Sequence, residues 1–106
     1  MIYELRQYKV KKGKMKQWVK LFEEQIVPFQ VAHGMVVPAS FTAIEKTDQF
    51  VWLRRFKNEA ERTRLYSKVY KNEHWKKVIL PRVDEVLVRA AIVTTLMSPT
   101  PKSVMQ

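Results

Sequence analysis

Arg6 lies two residues from Tyr8, and Arg54 stands between Trp52 and Phe56 at the same spacing. In an extended strand, residues two apart share a face. Each guanidinium therefore has an aromatic neighbour on one side of a sheet. Arg89 falls in a third, β-branched stretch. Arginine's planar fork matches carboxylate and phosphate, and a neighbouring ring supplies an apolar wall. Arg6, Tyr8, Trp52, Arg54 and Arg89 together fit the lining of a pocket for a small anionic or aromatic molecule. The same residues fit a structural arrangement: cross-strand ion pairs with Glu4, or with acids of a second subunit. Such networks commonly arise without a ligand role.

Other chemistry is sparse. The histidines are His33 and His74, with no acid at metal-ligand spacing from either, so no metal site is expected. His33 is a candidate general base, and Tyr8 a second proton-transfer candidate. A histidine just after a helix more often caps it or bonds a backbone carbonyl. His74 is expected on the surface, and Trp18 and Trp75 in the core. Ser40 and Thr42 have no adjacent base, so nucleophilic catalysis finds no support. Cysteine is absent, which removes disulfides, thiolate metal sites and a thiol nucleophile. The two glycines, Gly13 and Gly34, are too few for a phosphate-cradling loop, so no cofactor is expected.

The elements that must position these residues follow from periodicity. Residues 2–10 are rich in aromatic and β-branched types and predict a strand. Met15, Trp18, Val19, Phe22, Ile26 and Phe29 make one apolar helical stripe. Pro28 predicts a break or kink near Val27, and Gly34 a stop. Residues 35–46 predict an edge strand, because Pro38 cannot donate to a ladder. Residues 50–57 complete a hairpin with it. Asn58 followed by Glu61 resembles a capping box, opening a helix that turns Leu65, Val69 and Ala60 inward. Asn72 interrupts it, and Pro81 closes a further turn through Trp75, Val78 and Ile79. Residues 86–97 predict a long last strand, and 98–106 a tail with few anchors. The chain thus divides into one domain, 1–97, and the tail. The order βαββαβ with right-handed crossovers gives an α+β ferredoxin-like sandwich, an antiparallel sheet in the order 4-1-3-2 with helices on one face.

Placing Leu5, Val51 and Leu53, and with them Val88, Ala90 and Ile92, against the helices sends Arg6, Tyr8, Trp52, Arg54, Phe56, Arg89, Ala91 and Val93 to the bare face. That much apolar surface calls for cover. A homodimer packed face to face around a cavity supplies it, with the last strand reaching across.

The run Ile2-Tyr3-Glu4-Leu5-Arg6-Gln7-Tyr8, the basic turn with Gly13, His33-Gly34, Arg62, and Trp75 followed by Pro81 resemble the NIPSNAP family over residues 1–97. The resemblance implies a dimeric α/β barrel of ferredoxin-like halves. It implies no settled reaction; vesicle-transport and mitochondrial roles attach to eukaryotic members. Three positions depart from the family pattern. Trp52 stands for a histidine, Arg54 for a tryptophan and Glu45 for a glycine.

The net charge is +10. A balance this basic suits a solvated surface, or attraction to nucleic acid, anionic lipid or acidic small molecules. RNA recognition by stacking on Tyr3 or Tyr8, Trp52 and Phe56 is one alternative, weakened by the missing glycine-containing signature. Membrane-surface or adaptor binding through Lys9, Lys11, Lys12, Lys14, Lys16 and Lys20 is another. By analogy of fold, a cofactor-free monooxygenase or isomerase is a third. No apolar run approaches the ~20 residues that span a bilayer, and no leader precedes the first strand, so the cytosol is the expected compartment.

Overall fold

The protein is described by a computed structural model covering residues 1–106. Four strands, β1 (Ile2–Lys9), β2 (Val36–Thr42), β3 (Gln49–Phe56) and β4 (Val93–Met97), form one sheet in the order β2-β3-β1-β4. All neighbours are antiparallel. This is the expected α+β ferredoxin-like order read from the other edge. Pro38 lies on edge strand β2, within a register shift between Val36 and Ala39, where a missing donor costs nothing.

The helices do not stop at their prolines. Helix α1 (Met15–Leu21) passes through a wide π-turn, Phe22–Ile26, into α2 (Val27–Ala32), with Pro28 in its first turn. After α3 (Glu59–Tyr70) the same device recurs: a π-turn at Trp75–Ile79 leads into α4 (Leu80–Val86), with Pro81 in its first turn. At both places the residue before proline bonds five back, Val27 N–H to Phe22 O and Leu80 N–H to Trp75 O. A proline ring collides with the carbonyl four residues earlier in a regular helix; the wider turn relieves the collision. Of the break or kink expected near Val27, a break does not occur, and the predicted closure at Pro81 is corrected.

Asn58 Oδ1 accepts from Glu61 N at 2.9 Å, and Glu61 Oε1 accepts from Lys57 N at 3.0 Å, fixing the start of α3. Leu65 and Val69 are buried, while Ala60 is exposed, contrary to expectation. Gly34 ends α2 at φ +101, a conformation that L side chains rarely adopt.

The sheet faces are the reverse of those expected. Tyr8, Phe50, Trp52 and Phe56 lie under the helices, and Leu5, Val51 and Leu53 are half-buried on the other face. The reason is area. Trp and Phe rings bury more apolar surface than Val or Leu, so the helices take the aromatic row. Trp18, Phe22, Phe50 and Trp52 meet there with centroids 4.8–5.7 Å apart. The two-residue period then forces Arg54 inside with Trp52 and Phe56, and Glu4, its cross-strand partner, with it.

The long last strand is also corrected. Helix α4 runs to Val86, and Leu87 bridges to Val10. A 3-10 turn at Arg89–Ala91 then redirects the chain, leaving β4 only five residues. Val88 and Ile92 are half-buried and Ala90 is exposed. The tail folds back over the helix-free face, where Tyr3 Oη donates to Gln106 O at 2.9 Å. No helix is long and apolar enough to cross a membrane.

Candidate functional site

Glu4 is fully buried and surrounded by guanidinium groups. Arg54, directly opposite on β3, donates Nε to Glu4 Oε1 at 2.7 Å and brings Nη2 to 2.6 Å. Arg62 Nε reaches Glu4 Oε2 at 2.8 Å. Tyr66 Oη donates to the same oxygen in a short hydrogen bond. The remaining Arg54 donors go to Gln30 Oε1 at 3.2 Å, Tyr70 Oη at 2.6 Å and Tyr66 Oη at 2.8 Å. Rings close over its faces, with Trp52 and Tyr66 centroids each 4.9 Å from Cζ. Arg54 is thus saturated and realises the cross-strand pairing with Glu4 that the sequence suggests.

Two ionisable groups record this environment. Burial alone would raise the Glu4 pKa. The charge of Arg54, with hydrogen bonds from Tyr66, Arg62 and Arg54, outweighs burial and holds it below its ordinary value. Burial pushes Tyr66 up to about 12, against the pull of Arg54 and with help from its bond to Glu4.

Arg6 is different. Its Nε donates to Tyr8 Oη at 2.9 Å, and its Nη1 to Thr94 Oγ1 at 3.2 Å and Tyr66 Oη at 3.3 Å. Its approach to Glu4 is only 3.7 Å. Arg54 and Arg62 take the carboxylate; Arg6 takes neutral oxygens, and Nη2 donates to no protein group. Tyr8 accepts from Arg6, which leaves its own proton free to donate. Burial raises the pKa of this phenol, so it stays protonated at neutral pH.

A cavity of about 320 Å³ opens beside Arg6, between the sheet and the helices. Its size falls within the range of small-molecule sites. Arg6, Tyr8, Trp52 and Arg89 line it, as do Trp18 and Trp75; Arg54 lies behind the wall. No Asp, Glu or His faces it. Four of the five residues singled out from the sequence therefore line a sheet–helix cavity, not the bare face, and Arg54 does not line it. His33 lies elsewhere: its Nδ1 is 2.7 Å from Phe29 O, the carbonyl bond expected of a helix-end histidine. His74 is exposed. Stacking of RNA bases on Tyr8, Trp52 and Phe56 is ruled out, because the helices cover all three.

Gln30, Tyr66 and Tyr70 were not legible as site residues. A signal existed: Arg62, Tyr66 and Tyr70 recur at steps of four, which places them on one helix face.

A ferredoxin-like domain with an arginine-rich cluster locked around one acid, beside a cavity holding a further arginine, defines the class. The chain belongs to the NIPSNAP family, whose profile matches residues 3–104. It is similar to a NIPSNAP family protein of unknown function from Agrobacterium tumefaciens, at 20% identity and TM-score 0.90, covering 100% of this chain and 94% of that one. An uncharacterised NIPSNAP domain protein from Burkholderia xenovorans matches at 15% identity and TM-score 0.86, covering 97% and 98%. An antibiotic biosynthesis monooxygenase shares the fold at 16% identity and TM-score 0.71, covering 95% and 100%. No curated protein matches the chain.

Proposed function

We propose that the protein binds a small organic acid with an apolar or aromatic body in the sheet–helix cavity, its carboxylate on Arg6. The observation that carries this reading is the contrast between arginines. Arg54 and Arg62 hold Glu4 at 2.6–2.8 Å, whereas Arg6 lines the cavity with its side chain 13% exposed and comes no nearer than 3.7 Å to that carboxylate. An enclosed guanidinium whose nearest carboxylate is 3.7 Å away and already bonded by Arg54 and Arg62 favours a further anion, and Tyr8 adds a donor beside it. Thermal shift and calorimetry with phenylacetate and 3-phenylpropanoate test this. A ligand selective for the folded state raises the melting temperature. Arg6→Gln should weaken binding by roughly tenfold or more, with partial retention in Arg6→Lys. Indifference of the wild-type protein to these acids at millimolar concentration would remove the proposal.

We also propose that a second copy covers the helix-free face. Tyr8, Trp52 and Phe56 lie under the helices and need no such cover, so support comes from other residues. Leu5, Val51 and Leu53 form a row flanked by Phe41, 57% exposed, and Val93, 53% exposed. A two-fold axis sets such a row against itself. Light scattering at micromolar concentration should give a dimer mass, and Phe41→Lys should shift it toward monomer. A wild-type monomer there refutes the pairing.

A further inference from the structure

The cavity has a second cation at its rim. Arg89, on the 3-10 turn, lines the same space as Arg6. Most of the wall between them is apolar, with Trp18, Ile26, Trp75 and Leu80 among its residues. A carboxylate already sits on Arg89, since Asp84 Oδ1 lies 2.5 Å from its Nε. Asp84 belongs to α4 and does not line the cavity. Its backbone carbonyl accepts from Lys11 Nζ at 2.8 Å. Both members of the pair are about half exposed, at 51% and 48%. A solvent-screened pair of this kind is weakly held and readily exchanged.

We propose that Arg89 is a second anion site of this cavity, occupied by Asp84 until a ligand displaces it. The ligand class is then a dianion, with one acid group at each end of an apolar body. This rests on the cavity reading above and extends it. Arg6 takes the inner carboxylate. Arg89 turns its fork from Asp84 to the outer one, and the released Asp84 is solvated beside Lys11. Selectivity between mono- and dianions thus depends on a residue whose own side chain competes for the site.

The test uses the full chain and calorimetry with phenylacetate, 3-phenylpropanoate and 4-phenylbutanoate. Each is compared with its para-carboxylated counterpart, which keeps the apolar body and adds one anion at the far end. At least one para-carboxylated acid should bind about tenfold tighter than its parent, the step expected of one charge-assisted fork. That gain should vanish in Arg89→Gln and widen in Asp84→Asn. Both positions are exposed, so neither change threatens the fold. If the parents bind through Arg6 but the second carboxylate adds nothing at any length, or its gain survives Arg89→Gln, the second site is refuted and the Arg6 site stands. If no acid binds, both readings fall together.

Discussion

Glutamine in place of Glu4 should lower the stability of the protein by roughly 3–5 kcal/mol, seen as a reduced urea midpoint at unchanged slope. Glu4 is fully buried, and two guanidiniums and a phenol bond to it directly. The amide removes the only buried negative charge there and leaves Arg54, itself 0% exposed, without a counter-ion. The dependence on pH has a definite sign. The folded-state pKa of Glu4 is depressed, so its contribution is complete above the unfolded value of about 4.3 and drains as pH falls through the folded value. The gap between wild type and Glu4→Gln should therefore be full at neutral pH and narrow in acid. A change below about 1 kcal/mol at pH 7, the range of ordinary surface pairs, would show that the cluster does not hold the fold.

Removing Glu4 and Arg54 together should hurt less than removing the acid alone. Glu4→Met strands a buried cation. Glu4→Met with Arg54→Met leaves two apolar side chains facing each other across β1 and β3, next to Trp52 and Phe56. Replacing a buried pair with apolar residues of similar volume is often neutral or stabilising, whereas removing one partner costs several kcal/mol. Arg62 and Arg6, at 20% and 13% side-chain exposure, keep a route to water after the acid has gone. A double-mutant cycle by urea unfolding measures this. The double variant should be more stable than Glu4→Met by about 1 kcal/mol or more. Strict additivity of the single changes would contradict this account.

Element order and strand order could be read from the chain because each strand is bounded by clear turns and Pro38 marks an edge. Facing was misread for a specific reason. In Phe50-Val51-Trp52-Leu53-Arg54-Arg55-Phe56 both parities are apolar, so alternation alone does not choose. The larger rings decide, and they bring Arg54 with them. The candidate residues nevertheless gather at one site, because Arg6, Tyr8, Trp52 and Arg54 share a parity whichever way the sheet faces. Arg89 reaches that site only through a 3-10 turn that β-branched composition does not announce. Tyr66 and Tyr70 were hidden because aromatic residues on a helix face usually signal packing.

The two π-turns carry a consequence for the cavity. Each interposes an extra residue, so side chains beyond it are rotated about 100° from where regular winding would place them. Ile26 and Trp75 belong to these turns and form part of the cavity wall. A helix restored to ordinary pitch would swing one of them off the wall while every lining residue kept its identity. The hollow's outline is thus set by how the backbone is wound as much as by which side chains border it.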